Sequence, residues 1–307
     1  MVDSATPRVV PLKRPSAENP AMKPAPFTYH APTTLDSAIA LLTELAPLDG
    51  RVLAGGQSLV PAMAFRLARP AHLIDINNIA ALGHVTAEAG TLSIGACVRH
   101  AAFHRRVVDG PLGYLLSDVV SHIAHYPIRI RGTFCGSLAH ADPASEWCLV
   151  AATLGATIVA RNASATRKIA AEDYFRGALT TALEANELIT EVRLPLLPDD
   201  SKTGFYEFSR RAGDFALAMA AITYRLEEGV ISSPRIGIGG IEAYPRRLIN
   251  AEAELSGHSP SSTLFARAAE KAAAAVDPTE DKHAAANYRR DLARTVVLRA
   301  LERSIAC

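Results

Sequence analysis

The sequence predicts an α+β protein built from two unequal parts, and three observations support this fold class. Helical and strand patterns alternate through the first half of the chain, as far as a polar, turn-forming segment at 197–204. Beyond that segment, apolar runs with strand character are joined by tight turns, and residues 263–307 have helical spacing. We therefore expect one domain at 22–198 and a smaller domain of antiparallel strands and helices at 199–307.

The N-terminal part opens with a predicted helix at 34–46, whose leucines recur at helical spacing behind two threonines that can cap it. Further helical patterns lie at 98–107 and 114–126. The predicted strands of this part are RVLAGG, AHLIDIN, GTLSIGACV, the second half of LVAATLGATIVA, and ELITEVRLPL. This alternation predicts helices packed against sheets.

The C-terminal part is predicted to contain three antiparallel strands, with a hairpin turn at 227–229, and then two helices. The predicted strands are GFYEFSRR, ALAMAAITYRL and VISSPRIGIGGIEAY. The glycines of the last strand resemble a dinucleotide fingerprint, but the third glycine is misplaced and no helix follows at once. A strand with bulges is the better interpretation.

The composition argues against several classes of function. The 307 residues carry 32 basic and 31 acidic side chains, for a net charge of +1, so no nucleic-acid-binding surface is predicted. Four irregularly spaced cysteines are too few for a disulfide framework or for two iron–sulfur clusters, and a reducing cytoplasm is expected. No apolar stretch approaches the roughly 20 residues of a membrane helix. The Pro-rich segment 1–21 is expected to be a disordered tail rather than a signal peptide.

The stretch LAGGQSLVPAMAFRL, residues 53–67, has the order strand, glycine turn, helix start. Adjacent glycines allow backbone amides to converge, and a helix N-terminus adds free donors, so this turn suits a phosphate. It matches neither the P-loop pattern nor the three-glycine dinucleotide fingerprint. A tight turn without a ligand is an alternative of similar weight.

The stretch RGTFCGSLAHADPASEW, residues 131–147, repeats this order and adds polar and ionisable side chains. Asp142 precedes Pro143, which is typical of a helix N-cap, and Glu146 would lie one turn along that helix. A serine nucleophile would need a G-x-S-x-G elbow, which is missing. The Cys, His, Asp and Glu side chains match no common metal-ligand spacing, and a glycosidase acid pair normally comes from different elements.

Both glycine stretches and their neighbours resemble the FAD-binding medium subunit of molybdenum hydroxylases, the family of carbon monoxide dehydrogenase, xanthine dehydrogenase and bacterial N-heterocycle dehydrogenases. The resemblance covers residues 22 to about 305. The matching stretches are FTYHAPTTLDSAIALL, LAGGQSLVPAMAFRLARPAHLIDIN, RGTFCGSLAHADPASE and FSRRAGDFALA. The resemblance implies a two-subdomain FAD-binding domain of the vanillyl-alcohol-oxidase/CO-dehydrogenase flavoprotein type, followed by a domain of antiparallel strands and a helical bundle.

The resemblance also implies a set of cofactor-binding residues. A first loop would wrap the FAD pyrophosphate and a second would form another backbone cradle, while Glu146 would bind ribityl or ribose hydroxyls. Ile189 would pack near the flavin and Tyr206 beside its ring edge. The residues of the two loops are Ala54, Gly55, Gly56, Gln57, Ser58 and Leu59, and then Thr133, Phe134, Cys135, Gly136 and Ser137. Cys135 stands where the family commonly has glycine.

The function implied by the resemblance is electron relay in an oxidoreductase complex. FAD on this chain would pass electrons from two [2Fe-2S] clusters of a small subunit to an external acceptor, while a large molybdopterin subunit oxidises the substrate, in a dimer of heterotrimers. A purine, a pyridine ring, an aldehyde and carbon monoxide are all compatible substrates. Neither catalytic residues nor a metal site are expected on this chain. The alternatives are a free-standing FAD-dependent reductase or oxidase, and a scaffold that keeps the fold without flavin.

Overall fold

A small sheet near the start of the chain carries the first glycine stretch at one strand end. The computed structural model describes residues 8–9 and 23–306. The elements of this region are β1 (Arg8–Val9), β2 (Thr28–His30), α1 (Leu35–Leu45), β3 (Gly50–Leu53), α2 (Leu59–Ala64) and β4 (His72–Asp75). The strand order is β1-β2-β4-β3, with β2 and β3 both parallel to β4. Thr34 caps α1 by accepting from Ser37 N at 3.2 Å, and the predicted first helix is confirmed.

The segment expected to be a disordered tail contributes one short strand to this sheet. Its β1 pairs antiparallel with β2. The rest of that segment lies outside the described residues, so the prediction of disorder is untested there.

A second sheet of five antiparallel strands follows, with helices inserted between its strands. Its order is β5-β6-β11-β7-β8. The elements are β5 (Val85–Glu88), β6 (Thr91–Gly95), α3 (Gly110–Val119), α4 (Tyr126–Arg129), α5 (Phe134–His140), α6 (Glu146–Leu154), β7 (Thr157–Arg161), β8 (Thr166–Ala170), α7 (Ala171–Tyr174), β9 (Phe175–Gly177), β10 (Thr180–Thr181) and β11 (Leu188–Pro195). All five predicted strands of the N-terminal part are present.

Two helices predicted in this part are shorter than expected. The pattern at 98–107 forms only a 3-10 helix, His100–His104. The pattern at 114–126 leaves the α-helix after Val119: Val120 N still bonds four residues back, to Leu116, but the amides from Ser121 to Ile123 bond three residues back. Apolar spacing alone did not distinguish a regular helix from a series of turns that bury the same residues.

The C-terminal part is a four-stranded antiparallel sheet followed by three helices. Its order is β12-β13-β14-β15. The elements are β12 (Lys202–Phe208), β13 (Ala218–Glu227), β14 (Val230–Gly239), β15 (Arg246–Arg247), α8 (Ile249–Leu255), α9 (Ser262–Ala275) and α10 (Ala286–Ala306). The predicted hairpin is confirmed, with Glu228 and Gly229 both at positive φ, +52° and +81°. The predicted linker is shorter than expected, because Lys202 to Gly204 already belong to β12.

This sheet is a middle layer with both faces buried. Residues 218–224 of β13 are all buried. Phe205, Met219 and Ala221 belong to the core of the N-terminal part, whereas Ala220 and Ile222 pack with the C-terminal helices. A strand covered on both faces has a continuous apolar sequence, which explains the run ALAMAAITY.

The glycines of RIGIGG let α6 approach β14 closely. A Cβ on Gly237 would overlap Oγ1 of Thr153, and one on Gly239 would lie 3.5 Å from Cβ of Leu149. The strand is confirmed, and its bulge lies just before the glycines: Ser233 and Pro234 of β14 oppose the single residue Tyr224 of β13. The glycines therefore serve helix–sheet packing.

Gly204 is where α10 packs against β12, and it provides a test of this packing. A Cβ there would overlap the carbonyl oxygen of Ala300 and lie 3.2 Å from Cβ of Ser304. We expect Gly204→Ala to lower the free energy of unfolding by about 1–3 kcal/mol, because backbone cannot yield as a flexible side chain can. Urea denaturation measures this change.

The control is Gly83→Ala. No heavy atom of the described residues lies within 4 Å of a Cβ at position 83, and its φ is not positive. Equal stability of the two variants would contradict the inferred close packing of α10 on β12.

Candidate functional site

The two glycine stretches, far apart in sequence, touch each other in the fold. We call residues 54–59 the first loop and residues 131–137 the second loop. A Cβ on Gly55 would overlap the carbonyl oxygen of Arg131 and lie 2.6 Å from Cα of Gly132. Only glycine fits at position 55, and the two loops consequently form one continuous backbone surface.

The first loop is a tight turn between β3 and α2. Gly56 has φ +72°, and its carbonyl accepts from Val60 N at 2.9 Å. The side-chain amide of Gln57 donates through Nε2 to the carbonyl of Gly55 at 3.0 Å. Because α2 has only six residues, its dipole adds little, so binding of an anion here would depend on the loop amides.

The second loop is the start of α5, and several of its amides already have partners. Thr133 Oγ1 accepts from Gly136 N at 3.0 Å, and Phe134 N donates to the carbonyl of Val98 at 3.1 Å. A Cβ on Gly136 would lie 2.6 Å from Thr133 Oγ1, so a larger residue there would displace the capping hydroxyl from its present position. The cradle expected from the sequence is thus partly closed by the helix cap.

Cys135 and Phe134 point away from the loop surface into the core. Cys135 has a helical backbone and Sγ donates to the carbonyl of Ile94 at 3.4 Å. Burial raises the pKa of its thiol, which therefore stays protonated. The ring of Phe134 lies 4.9 Å from that of Trp147, between centroids. Both residues support the second loop from below, and a cysteine is tolerated in place of glycine.

Asp142 does not cap the helix that carries Glu146. The helix α6 begins at Glu146 with Ser145 at the N-cap position, whereas Asp142 Oδ1 accepts from Ala144 N at 2.9 Å in a preceding turn. The expected N-cap is therefore wrong by three positions, because Pro143 starts a turn rather than the helix. Glu146 is the first residue of α6 and not one turn along it.

A second carboxyl group, Glu207 of β12, faces Glu146. Glu146 is 8% exposed, and burial raises its pKa to about 7. Burial, and then the charge of Glu146, raises the pKa of Glu207 to about 9. Its Oε2 is buried and has no hydrogen-bond partner among the described residues. The charge of Glu146 adds to the burial of Glu207, so at neutral pH Glu207 holds a proton, whereas the nearby charge that acts on Glu146 is that of Asp142.

An open cleft lies between the two loops and the β12–β13 loop, residues 209–217. Four of the expected site residues line it: Gln57, Ser58, Ser137 and Glu146. Its far wall comes from Gly213, Asp214 and Phe215, and the Phe215 side chain is 74% exposed. The C-terminal part thus completes a site whose other walls belong to the N-terminal part.

Ten of the fourteen expected site residues do not line this cleft: eight belong to the two loops themselves, and the other two, Ile189 and Tyr206, lie on β11 and β12. Ile189 is 4% exposed in β11, where it pairs with Ala160. Tyr206 lies on the face of β12 opposite Glu207, and the guanidinium carbon of Arg303 is 4.7 Å from its ring centroid. The period of two along β12 is the sequence signal that could have placed Glu207, rather than Tyr206, on the cleft side.

His100 is a buried structural residue beneath the second loop. Its Nδ1 accepts from Trp147 Nε1 at 2.9 Å, and a Cβ on Gly132 would overlap its Nε2. Burial, with the nearby charge of Arg99, lowers the pKa of His100 to about 4, so the ring is neutral. Within residues 8–9 and 23–306, no three His, Cys, Asp or Glu side chains are grouped as metal ligands.

The buried carboxyl of Glu207 makes stability depend on pH. The unfolded chain releases this proton above a pKa of 4.5, but the folded protein holds it to about 9, so stability falls as pH rises between these values. Gln cannot ionise, and we expect Glu207→Gln to match the native protein at pH 5 and to unfold about 2–4 °C higher at pH 8. Thermal unfolding of the FAD-free protein measures this.

Exposed Glu88 provides the control. Glu88→Gln changes the same charge and is expected to leave the pH profile of unfolding unchanged. The interpretation of Glu207 is wrong if Glu207→Gln has the native pH profile.

Comparison with known proteins identifies both parts of the chain. Residues 25–197 match the FAD binding domain in molybdopterin dehydrogenase, and residues 203–304 match the CO dehydrogenase flavoprotein C-terminal domain. The 6-hydroxypseudooxynicotine dehydrogenase complex subunit alpha of Paenarthrobacter nicotinovorans is 38% identical over 92% of this chain and 96% of its own length. Caffeine dehydrogenase subunit beta of Pseudomonas sp. (strain CBB1) is 37% identical, with coverage of 92% and 96%.

A solved structure agrees with these relatives. The carbon monoxide dehydrogenase of Hydrogenophaga pseudoflava contains a chain that superposes with a TM-score of 0.88 at 34% identity, covering 92% of this chain and 98% of that one. The α+β fold and the arrangement of an FAD-binding domain before a flavoprotein C-terminal domain are thereby confirmed. The chain therefore belongs to the family of FAD-binding medium subunits of molybdenum hydroxylases, and it is an oxidoreductase subunit whose cofactor is FAD.

Proposed function

We propose that the cleft between the two loops and the β12–β13 loop is the FAD site, and that FAD there relays electrons from [2Fe-2S] clusters of a small partner subunit to an external acceptor. The observation that carries the proposal is the convergence of both glycine loops on one cleft that also contains Glu146. The oxidation of the substrate is assigned to a separate large molybdopterin subunit.

The residues present fit the chemistry of FAD. Pyrophosphate needs backbone amides that converge, which the glycine turn of the first loop supports, and this loop reaches the cleft through Gln57 and Ser58. The ribityl and ribose hydroxyls need an acceptor, for which Glu146 is placed at the cleft. The roles of Ile189 and Tyr206 near the flavin rest on the resemblance alone.

In this proposal FAD supplies the redox chemistry when bound, accepting and releasing electrons. The chain binds and orients the cofactor through its loops. Glu207 retains its proton, so no second carboxylate charge lies beside Glu146. None of these steps needs an acid–base pair or a nucleophile from this chain.

The proposed partners follow from the same division of chemistry. The relatives are described as a complex subunit and a medium chain, which supports small iron–sulfur and large molybdopterin partners, in a dimer of heterotrimers. The relatives differ in substrate, from caffeine to carbon monoxide, so their substrates support no single choice for this chain. We propose the cytoplasm as its location because its four irregularly spaced cysteines are too few for the disulfide framework typical of secreted proteins. The described residues form no helix long and apolar enough to span a membrane.

Purification under native conditions tests the electron-relay proposal. We expect the chain to be yellow, to release FAD on denaturation, and to co-purify with subunits that carry iron and molybdenum, measured by absorbance and elemental analysis. FAD without metal-containing subunits would favour the free-standing reductase or oxidase. A colourless chain that takes up no FAD would contradict both.

The first loop can be tested separately with Gly56→Val. Gly56 has φ +72°, and its Cβ would lie 3.1 Å from Cγ2 of Val60, so a β-branched residue distorts the loop. We expect FAD occupancy to fall more than tenfold, as measured from the flavin-to-protein absorbance ratio.

Gly90→Val is the matched control. Gly90 also has a positive φ, +75°, but no heavy atom of the described residues lies within 4 Å of its Cβ position, and it lies in the β5–β6 turn. Full occupancy in Gly56→Val would remove the first loop from the proposed pyrophosphate site.

A further inference from the structure

Asn77 and Arg99 connect the two loops through hydrogen bonds. The Asn77 amide nitrogen donates to the carbonyl of Ala54 in the first loop at 2.8 Å. Its amide oxygen accepts from Nη2 of Arg99 at 2.6 Å, and Nη1 of Arg99 donates to the carbonyl of Arg131 in the second loop. A continuous hydrogen-bonded chain therefore runs from one loop to the other.

The orientation of the Asn77 amide is fixed by its partners. Ala54 presents a carbonyl and Asp75 a carboxylate, which can only accept, whereas the Arg99 guanidinium can only donate. Asp75 Oδ1 accepts from both nitrogens of Asn77, and Asp75 Oδ2 accepts from the hydroxyl of Tyr29 at 2.5 Å. That hydrogen bond is the main cause that raises the pKa of Tyr29 to about 12, so the phenol stays a donor. Every member of the network has one possible role.

This network determines where the amides of the first loop point. In a trans peptide unit the N–H points opposite to the C=O. Because the Ala54 carbonyl is held by Asn77, the N–H of Gly55 is directed away from Asn77. The Gly55 carbonyl is held in turn by Gln57, which directs the N–H of Gly56 away from that side chain.

We propose that Asn77 and Arg99 are positioning residues for FAD: they fix the peptide orientation of the first loop and its spacing from the second loop, without touching the cofactor. The inference rests on the proposed location of FAD at these loops. Residue 77 follows β4 and residue 99 follows β6, so the pair also links the two sheets of the FAD-binding domain.

Asn77→Asp removes the hydrogen bond to the Ala54 carbonyl and keeps the contact with Arg99. The introduced carboxylate still accepts from Arg99, but it faces the Ala54 carbonyl and the Asp75 carboxylate as a repelling acceptor. We expect FAD to dissociate about 10 to 100 times more readily at pH 8, measured by titrating FAD into the FAD-stripped full chain with its co-purifying subunits, by fluorescence quenching.

A pH series shows that the effect comes from this hydrogen bond. Once protonated, the carboxyl group introduced at position 77 regains a donor toward Ala54, so the affinity of Asn77→Asp relative to the native protein should recover at least partly between pH 8 and pH 5.5. Titration of Glu146 in the cleft, whose pKa burial raises to about 7, acts on both proteins and cancels in this ratio. The groups that face position 77 are Asp75, Arg99, Tyr29 through Asp75, and Cys97, whose pKa burial raises to about 11. Neither the phenol nor the thiol titrates in this range.

Exposed Asn78 is the matched control, because Asn78→Asp makes the same change of charge one residue away. If Asn77→Asp binds FAD with native affinity, or if Asn78→Asp loses affinity equally, the inference about Asn77 is overturned. The proposed FAD site at the first loop is tested independently by Gly56→Val. Failure of the native chain to rebind FAD would overturn the proposed site as well.

A second variant covers the case in which Asn77→Asp does not fold. Arg99→Lys keeps the charge, but one ammonium group cannot match the two-pronged contact with Asn77 and Arg131. We expect about 3 to 10 times weaker FAD binding with a melting temperature close to native. Native affinity in this variant would contradict the proposed spacing role of Arg99.

Discussion

The site depends on one close contact, that of Gly55 with the backbone of Arg131 and Gly132. Two peptide segments that are far apart in sequence can meet at this distance only because position 55 has no side chain. The first loop leaves the small parallel sheet, and the second loop starts a helix that packs on the five-stranded sheet. A site made of both loops therefore requires both sheets to be folded and correctly joined. The hydrogen bonds through Asn77 and Arg99 connect the two loops.

The C-terminal part has a structural and a chemical role in this arrangement. Its sheet is buried on both faces, so it belongs to the core of the FAD-binding part as much as to its own helices. The same packing brings Glu207 toward Glu146 and places the β12–β13 loop across the cleft. A cofactor in this cleft would contact both parts, the family domains at 25–197 and 203–304.

The sequence predicted most of the fold and the central part of the candidate site. Strands, the first helix, the 227–229 hairpin and the two last helices follow from local patterns, because apolar periodicity and turn residues act over a few positions. The helices at 98–107 and 114–126 and the cap at Asp142 were misjudged because turns can bury the same side chains as a helix. Of the residues that the resemblance implied, Gln57, Ser58, Ser137 and Glu146 line the cleft.

By itself the sequence determined the fold class, the longer strands and last two helices, the two glycine loops and, through its resemblance, the family and FAD. It missed several short elements, among them β5, β8, β15 and α8. Only the tertiary structure decided which groups meet: Gly55 with the second loop, Asn77 with Ala54 and Arg99, and Glu207 with Glu146. Asn77 lies 23 positions from Ala54 and 22 positions from Arg99, and Glu207 and Glu146 belong to different domains. Local patterns report which face of an element is buried, whereas burial of a polar group and its partner is set by how distant elements pack.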